Sequence, residues 1–171
     1  MKSQNKTERT DYKMYPTLTI ANYVILIGIS RKRYVNADKL NKILYFLDAC
    51  HLYETNGTAL FEETFKRWED GPVLYSLMIH FRENPSEAIM HPIDRDQYDP
   101  QVINPEIREM IRHVYDNIGN YSVKQLKQMI LSEDIFEKYS IQIISKTAPD
   151  ITAGEMYQYF NSHSVDRIWE D

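Results

Sequence analysis

One helix-spaced run constrains this chain more than any other. In ADKLNKILYFLDACHLYE (37–54), Leu40, Ile43, Leu44, Leu47 and Cys50 form one apolar face. Tyr45, Phe46, Ala49 and Tyr53 carry that face around the cylinder, leaving a narrow polar stripe of Asp38, Asn41, Lys42 and Asp48. A helix apolar over most of its circumference belongs at the centre of a fold. Asn36 is placed to cap it, and Asp38 puts negative charge in its first turn.

The flanking segments have the marks of further elements. Pro16 precedes TLTIANYVILIGIS, whose Leu18, Ala21, Ile25 and Ile29 keep a helical period; a strand is the competing reading for so Ile- and Val-rich a run. Asn56-Gly57 is a turn signal. Residues 60–68 alternate in part, with Phe61, Phe65 and Trp68 as large side chains, and read as a strand. Asp70-Gly71-Pro72 then reads as the start of a helix, with Asp70 capping it and Pro72 at its first position. Residues 89–93 read as a second short strand and 94–104 as an exposed loop. Pro105, Ser122 and Thr152 each open a later helix, and 133–144 reads as part helix, part extended. The expected fold is mainly α with a small antiparallel β-sheet (α+β): one compact helical domain over 16–171 carrying a short sheet or hairpin, preceded by a polar arm over 1–15.

Composition narrows the functional classes. The chain of 171 residues is 43% hydrophobic and 26% charged, ordinary for one globular domain. Cys50 is the sole cysteine, so no intrachain disulfide forms. Residues 1–13 lack an apolar signal core, and the longest apolar run, 23–29, is far too short to span a bilayer, so the expected location is the cytoplasm, away from membranes. The net charge of −5 argues against a dedicated nucleic-acid binder. The charge is uneven, however: residues 1–45 hold nine Lys/Arg against three Asp/Glu, and the remainder eleven against twenty-two. That leaves either two contact faces or a solvated tail.

No constellation of catalytic or metal-binding residues emerges. Cys50 and His51 are adjacent, so on a helix they point about 100° apart and do not readily share a metal. The five histidines lack H-x-x-H and H-E-x-x-H spacing. Glu62 and Glu63, on a strand, would face opposite sides and act as solvated edge charges. No cofactor and no enzyme activity is expected. Trp68 reads as either a core anchor or an interface hot spot. Glu69 and Asp70 lie on an exposed turn. Tyr45 sits at the polar edge of the central helix. Lys39 and Lys42 flank that stripe, where they are expected to pair with Glu69 or Asp70. These six residues form the candidate partner-binding set. Leu40, Leu44, Phe46, Gly71 and Pro72 are candidates for structural roles.

The order IANYVI, KLNKILYF, a turn with LFEE, then RWEDGPVLYSL resembles the Panacea (SocA-like) antitoxin domain, a family also described as phage-associated proteins. Ala21, Tyr23 and Ile25 match its first helix, and Lys39, Leu40, Lys42, Ile43, Leu44, Tyr45 and Phe46 its K-L-x-K-L-L-Y-F element, with His51 trailing. Trp68, Gly71, Pro72 and Val73 match W-x-x-G-P-V, with the aromatic Tyr75 following, and Tyr159-Phe160 matches the closing helix. The resemblance spans about 18–161. One departure is that the family's His and Pro-Trp after the penultimate helix are replaced by LSEDIFEKY (131–139), with Phe136 in the Trp's place. The resemblance implies a mostly helical fold with a small sheet and no catalytic residues. It also implies a protein that holds a cognate toxin inactive by direct contact, the toxin being encoded by an adjacent gene, or that delivers the toxin to a protease. A DNA-binding regulator of phage origin is the rival: Arg31, Lys32 and Arg33 with Lys39 and Lys42 would touch phosphates, although so apolar a helix lacks base-reading side chains. A hydrolase is the weakest alternative. Leu44→Asp is expected to cost several kcal/mol in urea denaturation, because it buries a charge with no partner.

Overall fold

The computed structural model describes residues 12–170. Residues 1–11 of the expected arm therefore lie outside the described residues. At the arm's other end, Tyr15 is buried: its amide donates to the Leu60 carbonyl (2.9 Å) and its hydroxyl accepts from the Asn104 amide (3.0 Å). Pro16 then caps helix α1 (Thr17–Ser30), which buries Ile20, Ala21, Val24, Ile25 and Ile27. The chain folds back tightly after α1, where a side chain on Gly28 would meet the Arg33 carbonyl at 2.8 Å.

Helix α2 (Ala37–Glu54) begins where Asn36 accepts the Lys39 amide at 2.9 Å, as its sequence foretells. Eighteen residues rise about 27 Å, enough to run through the whole domain. Every residue from Leu40 to Leu52 is buried. The narrow polar stripe is thus corrected: Asn41, Lys42 and Asp48 are inside, because other elements close over that face as well.

Asn56 (φ 56°) and Gly57 (φ 111°) turn the chain after α2. The strand expected over 60–68 is shorter. Phe61 and Phe65 make isolated bridges to Tyr15 and Ile151, and regular pairing is confined to β1 (Lys66–Trp68), antiparallel to β2 (Gly71–Val73). Leu60 and Phe61 are buried in succession, which breaks the in-out alternation a strand over that stretch would show.

Pro72 does not open a helix. It lies in β2 opposite Arg67, and α3 (Tyr75–Phe81) begins three residues later. Gly71, at φ 112°, closes the Glu69-Asp70 turn in a conformation few other residues tolerate, and a two-stranded ribbon accepts a proline whose nitrogen faces away from its partner. Asp70 is likewise not the helix cap. Glu63 fills that role, accepting the Ser76 amide (2.9 Å) and hydroxyl (2.7 Å), so it is no solvated edge charge.

Residues 82–104 form no second strand. Ile89 donates to the Val35 carbonyl, and the Asn22 side chain clamps Ile93 by both its amide and its carbonyl. Helices α4 (Pro105–Ile118) and α5 (Val123–Leu131) follow, the second with a Ser122–Gln125 capping box. Short helices α6 (Asp134–Glu137) and α7 (Ser140–Ile144) replace the mixed segment, and Thr152 caps α8 (Ala153–Ser162). Helix α2 touches α1, α3, α4, α5, α8 and β2. The fold is mainly helical with one small antiparallel sheet, as expected.

Arg67 ties the hairpin to the C-terminal half. Its Nε donates to the Ile135 carbonyl and one Nη to Pro149, each at 2.9 Å. The other Nη pairs with Glu155, and the guanidinium lies over the Tyr139 ring at 4.1 Å. Arg67→Ala is expected to lower stability by about 2–4 kcal/mol in chemical denaturation, since it leaves the Ile135 and Pro149 carbonyls without their donor and Glu155 with Lys138 alone.

Candidate functional site

Strand alternation sends Arg67 inward and Lys66 and Trp68 outward. Trp68 is 41% exposed, so the core-anchor reading does not hold. Lys66 Nζ lies 5.9 Å from the ring of Tyr75, itself exposed, and 3.4 Å from Asp150. The outer face of the hairpin is therefore an aromatic pair flanking one lysine, on a backbone that Arg67 pins from beneath. Tyr and Trp present large rigid area at low entropic cost, the composition of interface hot spots.

The hairpin tip is acidic. Glu69 is exposed and has no ion-pair partner among the described residues. Asp70 accepts from Lys127 at 2.6 Å, and this hydrogen bond holds its carboxyl below the usual range. Neither expected lysine pairs with the tip. Lys39 reaches across to the Gly119 carbonyl at 2.6 Å. Lys42 is buried beneath Gly71, its nearest acceptor the Asp38 carbonyl at 3.5 Å, and burial lowers its pKa.

Tyr45 is also withdrawn from the candidate surface. It is 0% exposed, and its hydroxyl donates to Glu133 Oε1 at 2.9 Å. Phe46, Phe65, Phe136 and Phe160 surround its ring edge-on. Burial pushes both the Tyr45 hydroxyl and the Glu133 carboxyl up. Phe136 is part of this collar.

Of the six candidates, then, Trp68, Glu69 and Asp70 come together on the hairpin, whereas Tyr45 and Lys42 are interior and Lys39 braces the end of α4. Outside that set, Tyr75, Ile141 and Ile144 are also exposed. Tyr75 could have been found from its position just past the hairpin, but nothing in SIQII marks its isoleucines as outward-facing.

Other chemistry is sparse. Cys50 is buried and its thiol raised by desolvation, which leaves it unreactive. His51 Nδ1 donates to the Thr58 carbonyl at 2.7 Å, a structural bond. Among the described residues no group of three His, Cys, Asp or Glu is placed to hold a metal ion, and no helix is long and apolar enough to cross a membrane.

The family model described as "Antitoxin SocA-like, Panacea domain" matches residues 40–135, more than half of the chain. The chain belongs to the SocA-like Panacea antitoxin family. No curated protein and no solved structure matches it. The matched segment runs from α2 through the hairpin to α6. In this Panacea domain it thus contains Trp68, Glu69, Asp70 and both partners of the Tyr45–Glu133 bond, while α7 and α8 lie beyond it.

Asp48 gives that segment a pH-dependent stability. Burial raises its carboxyl from 3.8 to about 7, only partly offset by the Leu60 amide at 2.8 Å. The folded state keeps this proton after the unfolded chain has lost it. The resulting stability is full below 3.8 and declines as pH rises towards 7. Asp48→Asn, compared with the unaltered chain in denaturation from pH 4 to 8, is expected to remove this decline, which amounts to about 4 kcal/mol at most.

Proposed function

We propose that this Panacea domain is an antitoxin that holds a cognate toxin inactive by direct contact, occluding the toxin's working surface. Family membership supports a toxin partner in general. The observation that carries the contact is the exposed Trp68 on a hairpin fixed by Arg67, with exposed Tyr75 near Lys66 and the acids Glu69 and Asp70 at the tip. A preformed aromatic platform loses little freedom on binding. The mechanism is recognition without catalysis. The toxin is encoded by an adjacent gene, and both proteins meet in the cytoplasm.

A basic, nucleic-acid-directed toxin suits the acidic second half of the chain, because complementary charge speeds encounter and adds specificity. The DNA-binding alternative is weakened by the fate of two of its three lysines: Lys42 is buried and Lys39 is engaged by Gly119, while Lys32 stays exposed. Arg31 and Arg33 are likewise engaged, by Asp116 and Asn120.

Co-expression with the product of the adjacent reading frame is expected to rescue growth from that product's toxicity, and the two proteins should co-purify. Trp68→Ala and Asp70→Arg should each weaken capture by about tenfold or more while circular dichroism is unchanged. Absence of both rescue and co-purification would contradict the proposal.

A further inference from the structure

We infer that Asp70 is a positioning residue and not a toxin contact: clipped to Lys127, it sets the hairpin tip so that Trp68 and Glu69 meet the toxin. The inference rests on the antitoxin reading above and divides the two acids of the tip between two jobs. The tip is a two-residue turn, Glu69-Asp70, with Trp68 and Gly71 paired across its base. Both acids are exposed, yet only one is engaged. Asp70 Oδ1 accepts from Lys127 Nζ at 2.6 Å, which joins the turn to α5. Glu69 has neither an ion pair nor a side-chain hydrogen bond among the described residues.

A solvent-exposed ion pair alone fixes little. Beneath this one lies a second cation. Lys42, on α2, is 2% exposed, and its Nζ is 3.8 Å from the position a Cβ on Gly71 would take. Its one hydrogen bond among the described residues is the 3.5 Å contact with the Asp38 carbonyl. A buried ammonium so poorly partnered depends on the field of nearby carboxylates, and Asp38 and Asp70 supply it. Asp70 is held in return. The Lys127 hydrogen bond, opposed by a smaller effect of burial and reinforced by the charges of Lys127 and Lys42, keeps its carboxyl below the usual range. Asp70 is thus fixed between α5 and α2, both of which pack against β2. To face a toxin its carboxylate would have to leave both lysines. Lys124, three residues before Lys127 on the same face of α5, is exposed and has no ion-pair partner among the described residues. It is therefore the freedom of Glu69, and not a surplus of charge, that sets the two acids apart.

Affinity for the product of the adjacent reading frame, measured around a double-mutant cycle, separates positioning from contact. Lys127→Met and Asp70→Ala should each weaken capture about threefold, and the two together no more than either alone. Lys127→Arg, which still donates to Asp70, should bind as the unaltered chain does. Glu69→Ala should slow association about threefold, and equally so in the Lys127→Met background. In the free chain, amide exchange over residues 68–71 should quicken in Lys127→Met and Asp70→Ala and stay unchanged in Glu69→Ala. The assignment is overturned if neither Lys127→Met nor Asp70→Ala loses affinity, or if Asp70→Ala loses it and Lys127→Met does not. It is equally overturned if the two losses multiply, if Lys127→Arg binds no better than Lys127→Met, or if exchange at the tip is unchanged in both variants. Any of these results, with the toxin still captured by the unaltered chain, leaves the antitoxin reading intact. Failure of the unaltered chain to capture that product removes the antitoxin reading and this assignment together.

Discussion

A helix with no exposed face must find a partner for every polar atom it carries, and in α2 that requirement organises the domain. Asn41 accepts the Leu74 amide at the exit of the hairpin (2.9 Å). Tyr45 donates to Glu133 at the junction of α5 and α6. Asp48 accepts the Leu60 amide, and His51 donates to the Thr58 carbonyl. Lys39 meets the carbonyl end of α4, where a cation is favoured. Each bond docks a different segment at a defined height along the helix. An unmet buried donor or acceptor costs about 1–3 kcal/mol, so these five contacts select among ways of covering the same apolar cylinder.

The consequence for function is a division of labour. Groups that would be chemically useful elsewhere are consumed inside: the Tyr45–Glu133 pair, the Cys50 thiol, His51 and Asp48 are all buried. What remains outside is a surface with a fixed shape. The hairpin is held from beneath by Arg67 and at its tip by the Asp70–Lys127 pair, Trp68 projects from it, and Tyr75 is exposed at the start of α3. An antitoxin needs no more than such a surface, provided the surface is rigid and distinctive in charge.

Local chemistry made much of this legible in sequence. Asn36, Ser122 and Thr152 cap their helices because a side-chain oxygen three residues ahead of an amide is sufficient, whatever else surrounds it. Asn56-Gly57 turns for equally local reasons. Asp70-Gly71-Pro72 reads as a helix start in sequence yet closes a hairpin, because the same three residues serve either, and pairing with Lys66–Trp68 decides between them. The misplacement of Tyr45 and Lys42 has a longer-range cause. The partner of Tyr45 is 88 residues away, so a polar atom on α2 looks solvent-facing until Glu133 is folded over it. Trp68 and the α7 isoleucines show the converse, since apolar character alone does not say which side of a short element faces water.

Hydrogen exchange on the domain with and without its bound toxin tests the division between spent interior and working surface most directly. The account predicts slowed exchange over residues 66–76, with the already protected amides of α2 unchanged. Slowing confined to residues 82–104 or to α1, with the hairpin exchanging as in the free protein, would contradict it.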